Sequence, residues 1–248
     1  MASFARITRH ALVAVGMGGM AAGAHAINMT IPTTLLDAES QFNFSSTASR
    51  LMDNMGIEVL ALGNTKNVGG SAWNFMMPVT QVTLNASIFP LGLTPVSGYA
   101  SGSGLMIRGE EGALTLSNFG LDFERNILTA DLSTANGLLK KFDVYSFKVD
   151  QGLHVSLDGG LGMKMSLIDM TLTSGAQSQF ASALSLEPFA VAVLSKVNFG
   201  SLDVDINAGL RFGLSDKALV AAVPEASPMA MLALGLVGIA FVSRRRLG

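Results

Sequence analysis

The chain has 248 residues, a formal net charge of −2 and no cysteine, and 49% of its residues are hydrophobic. This length suits one domain with processing segments or two small domains, and the missing cysteine excludes disulfides, thiolate metal sites and cysteine nucleophiles. Five of the 16 basic residues lie in the terminal segments, so the part of the chain between these segments is acidic. This part has no cluster of Lys and Arg, and we therefore expect no nucleic-acid partner.

The first segment, residues 1–26, matches a secretory signal peptide. Arg6 and Arg9 precede an apolar run of small residues, and Ala24 and Ala26 then supply the small-x-small pattern that a signal peptidase needs. Four glycines within the run argue against a stable first helix of the fold. We predict cleavage after Ala26.

Alternation of apolar and polar residues dominates the body and predicts strands with one buried face. The alternation is clearest at residues 82–88, 114–116, 128–132, 153–157 and 202–214. Glycine turns at 136–137 and 158–160 predict hairpins. The apolar phase slips between Leu167 and Ile168, which predicts a bulge or a strand that switches sheets.

Other parts of the body favour helix or loop. Residues 37–62 mix polar and apolar residues in a loosely helical pattern, with 49–55 as the best candidate for a turn or two of helix. Residues 176–186 favour a short helix. Segments rich in Gly, Ser and Asn at 63–70 and 94–104 predict loops. We predict a mainly β exported domain over 27–222, either an antiparallel β-sandwich or a partly closed barrel, with one or two short helices.

The last segment, residues 223–248, has three parts. They are the motif Val223, Pro224, Glu225, Ala226 and Ser227, an apolar stretch at 229–242, and the basic cluster Arg244, Arg245 and Arg246. This order resembles the PEP-CTERM sorting signal, with Ala226 where the family has a second proline. The 14 apolar residues make about 21 Å of helix, shorter than the roughly 30 Å hydrocarbon core, which suits a transient stop-transfer segment.

The resemblance implies a route for the protein. An inner-membrane exosortase would cleave near Pro224 and Glu225 after the C-terminal helix has entered the membrane. The body would then be released or attached at the cell surface. The family occurs in Gram-negative bacteria that make exopolysaccharide, so the resemblance also implies an exopolysaccharide partner in a biofilm matrix.

A second resemblance lies within the body. Residues 112–119 and 172–180 are similar to strands and a helix start of the HtaA-type haem-associated domains of bacterial surfaces. This resemblance implies a β fold and, in that family, haem held through a tyrosine and a histidine. The body offers Tyr99, Tyr145 and His154 as ligand candidates, although none aligns with a ligand position of the family.

Polar residues of the body show two patterns that occur in hydrolases. His154 and Ser156 share a strand face, but no Gly-x-Ser-x-Gly elbow accompanies them. Asp122 and Glu124 lie two apart on one face of a predicted strand and could pair as in glycoside hydrolysis. A hydrolase would act through Asp122, Glu124 or Asp203. Acidic residues at this spacing are more typical of the solvent-exposed face of a sheet.

The residues at 203–214 match the start of a calcium-binding loop, but their spacing argues against one. Asp203 and Asp205 resemble the opening of an EF-hand loop, but Ala208 and Leu214 occupy the positions that need Gly and Glu. We therefore expect no metal and no cofactor. The leading interpretation is a non-enzymatic surface or matrix protein, and the alternatives are a module that binds haem or polysaccharide and a hydrolase.

Overall fold

The computed structural model describes residues 27–32, 36–69, 71–88, 91–156, 162–208 and 214. The predicted signal peptide, sorting segment and turn at 158–160 lie outside these residues. The strands are β1 (Ile27–Pro32), β2 (Leu36–Phe44), β3 (Glu58–Gly63), β4 (Lys66–Asn67), β5 (Asn74–Pro78), β6 (Gln81–Ile88), β7 (Leu91–Arg108), β8 (Ala113–Asp122), β9 (Ile127–Thr134), β10 (Gly137–Ser156), β11 (Gly162–Leu172) and β12 (Gly200–Ala208). The helices are α1 (Ser46–Asn54), α2 (Ser174–Ala183) and α3 (Pro188–Leu194).

The strands form one antiparallel sheet in the order β1-β6-β7-β8-β9-β10-β11-β12-β2-β5-β4, with β3 also paired to β7. Neighbouring strands from β6 to β12 follow each other along the chain and are joined mostly by hairpins. None of the helices in the described part of the chain is long and apolar enough to cross a bilayer.

The sheet curls back on itself where β5 continues into β6. The N–H of Val79 donates to Ala38 O on β2 at 2.9 Å, and the N–H of Thr80 donates to Tyr99 O on β7 at 2.7 Å. These two consecutive residues therefore connect β2 directly with β7. The same two strands are also connected the other way round, through the neighbouring strands β8 to β12, so the sheet forms a nearly closed ring. The prediction of a mainly β fold, as a sandwich or a partly closed barrel, is confirmed in its second form, and the described residues form three short helices where one or two were predicted.

Alternation places the core inside the barrel. On β12, Leu202, Val204 and Ile206 are buried, whereas the intervening Asp203 is exposed and Asp205 is half-buried. Aliphatic, Met and Phe side chains from β2 and from β5 to β12 meet them in one buried cluster. Burial of apolar area, at about 25 cal/mol per Å², is the main force that holds the sheet in this curved form.

The helices lie at one end of the barrel, which we call the helix end. A Cβ on Gly112, in the turn between β7 and β8, would lie 2.0 Å from Ala183 O at the end of α2. A Cβ on Gly56, just after α1, would face Glu110 of the same turn at 3.6 Å. The ends of α1 and α2 therefore meet at the β7–β8 turn.

The opposite end is open, and we call it the mouth end. β7 pairs with β8 only from Ser97 onward, and β10 pairs with β9 only up to Ser146. The β6–β7 and β10–β11 hairpins therefore project beyond the shorter β8–β9 turn that lies between them. Ile27 at the start of β1 and Ala208 at the end of β12 also lie at this end.

Several sequence predictions are confirmed. Strands occur at 82–88, 114–116, 128–132 and 202–208, and the 136–137 turn joins β9 to β10. The phase slip on β11 is a bulge, where Asp169 takes a positive φ of 54° and burial passes from Leu167 to Met170. The predicted helix at 176–186 corresponds to α2.

Other sequence predictions are wrong. Within 37–62, the best helix candidate at 49–55 overlaps α1, but the rest of the segment is not helical, because β2 and β3 lie on either side of α1. Residues 94–104 form the middle of the long strand β7 rather than a loop. Glycines and serines have low intrinsic strand preference, but β7 is paired on both sides along most of its length, and this tertiary context decides its conformation.

Candidate functional site: the barrel mouth

An apolar cavity opens between the two projecting hairpins. Its volume is about 40 Å³. We call it the barrel mouth, and its walls include Val82, Gly98, Leu121, Phe123, Leu153 and Met165. These residues come from β6, β7, β8, the following turn, β10 and β11, so the mouth exists only because the sheet curls.

A bulge keeps the β7 wall apolar. Leu84 pairs with Pro95 and Thr83 pairs with Ser97, so Val96 is an extra residue in β7. Because paired residues lie on the same face of a sheet, Pro95 and Gly98 both face inward with Leu84 and Val82. Proline, which has no N–H to donate, is tolerated at such a bulge.

A smaller apolar cavity lies beneath the mouth and shares Met77, Phe119 and Leu128 with it. Tyr145 lines this inner cavity and is only 3% exposed. Its ring packs against Phe42 and Phe199, with centroids 5.9 and 5.4 Å away. Burial raises the pKa of the Tyr145 phenol well above its usual range, so the hydroxyl is neutral.

Tyr99 borders the mouth, but its ring lies on the outer face of the sheet. It pairs with Gly120, where an added Cβ would lie 2.8 Å from Thr129 Oγ1 and 3.1 Å from the Tyr99 ring. The neighbours of Gly120 on β8, Phe119 and Leu121, both line the mouth. Since strand residues alternate between faces, the tyrosine ring covers Gly120 from outside.

His154 lies on the outer side of the β10–β11 hairpin. It is exposed and pairs with Lys164, whereas its neighbour Leu153 lines the mouth. The structure therefore does not bring together the three ligand candidates. Tyr145 lies in the interior, and Tyr99 and His154 lie on the outside, on different hairpins.

Two of the three acidic candidates, Asp122 and Asp203, are engaged with neighbouring polar groups. Asp122 accepts hydrogen bonds from the backbone N–H and the Nε of Arg125, at 3.0 and 2.7 Å, and these bonds lower the pKa of its carboxyl. Arg125 also binds Asp143 with two nitrogens. Glu124 lies in the turn after β8, so the prediction that it shares a strand face with Asp122 is wrong.

Asp203 belongs to the polar outer face of the sheet. It accepts hydrogen bonds from Asn43 Nδ2 at 3.0 Å and from Ser166 Oγ at 2.7 Å. Asp205 forms an ion pair with Lys164 at 2.9 Å. Within the described ranges, no group of three or more His, Asp or Glu side chains is placed to hold a metal ion.

The mouth residues were not recognised from the sequence. Alternation assigns Val82 and Leu153 to an inner face, but it does not distinguish an inner residue of the packed core from one that lines an opening. The available signal was the unequal length of the hairpins, which the glycine-rich sequence of β7 concealed.

Comparison with known proteins identifies the C-terminal segment. The family model described as the PEP-CTERM protein-sorting motif matches residues 222–246, which confirms the resemblance drawn from the sequence. No curated protein matches the chain. The chain carries this motif at its end, beyond the described β domain.

Two solved structures from Corynebacterium glutamicum are similar to the chain at low identity. The C-terminal domain of HtaA is 12% identical, with a TM-score of 0.46, over 70% of this chain and 97% of that one. The heme binding protein HtaB is 10% identical, with a TM-score of 0.42, over 73% of this chain and 96% of that one.

Proposed function

We propose that this chain is a non-enzymatic structural or interaction protein of the cell surface, acting in an exopolysaccharide matrix. The PEP-CTERM motif at 222–246 carries the proposal, because it implies an exported protein that an exosortase processes. A signal peptidase would remove residues 1–26, and the exosortase would cleave near Pro224 and Glu225. The β domain is the part that this route would deliver.

The test of the sorting route is the intact mass of the protein, isolated from cell-surface and culture fractions of hosts with and without the exosortase gene. We expect ends near Ile27 and Pro224 that depend on that gene. Glu225→Ala should impair processing, whereas Glu187→Ala, a matched change at an exposed site of the β domain, should not. A mass that keeps Arg244 to Arg246 in the presence of exosortase would contradict the proposal.

The non-enzymatic role has its own test. The hydrogen bonds of Asp122 and Asp203 support it, since both carboxylates are already engaged on the outer face. We expect the purified protein to leave a broad panel of glycan, peptide and ester substrates intact. Hydrolysis that is lost in Asp122→Asn or Asp203→Asn would establish a hydrolase instead.

The second candidate function is a ligand-binding surface module, and the barrel mouth is the observation that favours it. Pockets lined by apolar side chains are the usual form of small-molecule sites. For haem, the test is a haemin titration followed at the Soret band. A shift that weakens in Tyr99→Phe or His154→Ala would support haem, and a flat titration would remove it.

A further inference from the structure

We propose that the tip of the β9–β10 hairpin docks the domain onto the surface of an anionic phospholipid bilayer. The tip comprises residues 135–141, and every one of them is exposed. The inference goes beyond the proposed function, because it rests on the exposure and the charge of the tip. It needs neither the sorting route nor a ligand in the barrel mouth.

The tip stands clear of the rest of the sheet. β10 pairs with β9 from Gly137 onward but with β11 only from Tyr145 onward. Next to that point the N–H of Thr173 donates to Val144 O at 3.0 Å, and the chain then turns into α2. Within the described ranges, the β10 side of the tip therefore has no neighbouring strand. The terminal segments connect at the mouth end, so the tip is a contact separate from theirs.

Two exposed leucines lie on opposite faces of the tip. Leu139 pairs with Leu132, whose side chain is fully buried in the core. Leu138 pairs with Ser133 on the other face. Even so, 51% of Leu138 and 43% of Leu139 are exposed. A folded partner that covered one face would leave the other leucine in water, whereas a bilayer surrounds an inserted tip and covers both.

The two residues after the leucines carry positive charge. Lys140 and Lys141 form a bulge opposite Asp131, and in the described part of the chain neither ammonium group has an ion-pair partner. Lys148, further along the same strand, is paired with Asp169 at 3.0 Å. Two adjacent ammonium groups without carboxylates favour a negatively charged surface.

The acidic residues on either side of the tip are already engaged. Asp143 binds Arg125 through two nitrogens, which neutralise it. Asp131 accepts from the backbone N–H of Lys141 at 2.9 Å and from Asn118 Nδ2 on β8 at 3.0 Å. Residues 135–141 contain no acidic residue, so the tip is cationic although the body of the chain is acidic.

The leucines and the lysines together select an anionic bilayer. A strand rises about 3.3 Å per residue, so both lysines lie within about 10 Å of the leucines, at the level of the lipid headgroups when the leucines are inserted. A soluble polyanion would contact the lysines and leave the leucines in water. Symmetric pairing of two β10 edges would bring the lysines of two copies together, which like-charge repulsion opposes.

The experiment follows the tip itself with a fluorophore. Because the chain has no cysteine, Ala135→Cys in the protein isolated from cells provides a unique labelling site at an exposed position. The thiol is labelled with a polarity-sensitive nitrobenzoxadiazole group. The protein is then mixed with vesicles of phosphatidylcholine alone, or of phosphatidylcholine and phosphatidylglycerol in equal parts.

We expect a blue shift of the label, and quenching by spin-labelled acyl chains, in the anionic vesicles only. High salt should reverse both changes, because it screens exposed charges. The readout is local to the tip, so entry of the apolar stretch at 229–242 into the bilayer does not by itself produce it.

Substitutions in the tip test each half of the inference. Lys140→Gln and Lys141→Gln should each weaken the association of the tip about fivefold, the factor for one cation near an anionic surface. Leu138→Ser and Leu139→Ser should each weaken it about three- to tenfold, because about half of each side chain is still available for transfer.

A second lysine and its apolar neighbour on β10 supply the matched control. Val149 is 43% exposed, like Leu139, but Lys148 beside it is held by Asp169. The double variant Lys148→Gln, Val149→Ser should leave the association of the tip unchanged. All of the substituted side chains are exposed, so the thermal unfolding midpoints of these variants should match that of the parent.

Each outcome decides the inference. A signal that needs anionic lipid, the leucines and the lysines, and that the control variant keeps, supports it. No change of the label in anionic vesicles would overturn it, as would an equal change in neutral ones. A response to a soluble anionic polysaccharide that Leu138→Ser and Leu139→Ser do not weaken would also overturn it, and would identify a polyanion as the partner. The intact mass of the same sample reports on sorting independently.

Discussion

Gly112 determines how the helix end of the barrel is packed. One of its two Cα hydrogens faces the end of α2, where an added Cβ would lie 2.0 Å from Ala183 O and 3.1 Å from the Ala183 carbonyl carbon. Both are backbone atoms, so no side-chain rotation can make room. The β7–β8 turn and α2 can approach this closely only because residue 112 has no side chain.

Gly112→Ala should therefore force α2 away from the turn. We expect the free energy of unfolding to fall by about 1–3 kcal/mol, the usual cost of overpacking, measured by urea denaturation. Gly152→Ala is the matched control, because an added Cβ meets nothing there. Equal stability of the two variants would contradict the close contact between α2 and the turn.

Arg125 joins two acidic residues on the surface and makes stability depend on pH. Its hydrogen bond lowers the pKa of Asp122 below the ordinary value of 3.8. A carboxyl with a lowered folded pKa stabilises the fold above its unfolded pKa, and this contribution is lost as pH falls through the folded pKa. The guanidinium is half exposed, with 51% of its side chain accessible, so the effect is small.

Arg125→Gln should lower the free energy of unfolding slightly at neutral pH, because exposed ion pairs are screened by water. The difference from the unchanged protein should shrink below pH 3.8 as Asp122 becomes protonated. Urea denaturation across pH 2–7 measures this. Arg108→Gln, which breaks the separate ion pair with Glu58, is the control. A difference that grows toward low pH would contradict the assignment.

At the scale of elements, Thr173 connects α2 to the sheet. Its Oγ1 accepts from the N–H of Ala176 at 3.1 Å, which caps the helix, and its hydroxyl donates to Asp143 O on β10 at 2.7 Å. One hydroxyl group therefore forms hydrogen bonds with both the first turn of α2 and the backbone of β10. Capping hydroxyls of this kind contribute about 1 kcal/mol.

Thr173→Val keeps the shape of the side chain and removes both hydrogen bonds. We expect a loss of about 1–2 kcal/mol in the free energy of unfolding and faster amide exchange in the first turn of α2. Thr94→Val, at an exposed position of β7, should change neither quantity measurably. If both variants behave alike, the cap does not hold α2 in place.

The strands that were predicted from the sequence are those with a strong contrast between their faces. β12 alternates Leu202, Val204 and Ile206 with polar residues, and period two alone identifies it. β2 was mistaken for part of a helical region because its inner positions include the small Ala38 and Ser40, which give a weak apolar signal. Their smallness suits the crowded junction with β5, a tertiary feature that local pattern does not encode.

The candidate site was predictable only in part. Its inward residues follow from alternation, but the mouth depends on how far each hairpin extends and on the extra residue Val96 in β7. The ligand candidates were chosen by residue type, without knowledge of the face on which each lies. The contact with Gly120 shows that the Tyr99 ring lies on the outer face of the sheet. For Tyr145 and His154, the register with the neighbouring strands determines which face each side chain occupies.

At the scale of the whole molecule, the two ends of the barrel differ in chemistry. Helices close one end, and an apolar mouth opens at the other, beside Ile27 and Ala208. The segments predicted to contact the membrane therefore both connect to the mouth end. A domain that travels through a membrane and is then cut free must keep its core without these segments.

Removal of residues 223–248 should accordingly leave the fold unchanged. The buried hydrophobic residues of the described part of the chain run from Ala38 to Ile206, so this cut takes none of them. We expect the thermal unfolding midpoints of chains 27–248 and 27–222, measured by calorimetry in the same mild detergent, to agree within about 2 °C. A chain that ends at 195 is the opposite case, because it lacks β12 between β11 and β2 and should fail to fold. If the 27–222 chain instead melts more than about 4 °C lower than the 27–248 chain, residues 223–248 contribute about 1 kcal/mol or more to the stability of the domain. Release by an exosortase would then destabilise the domain.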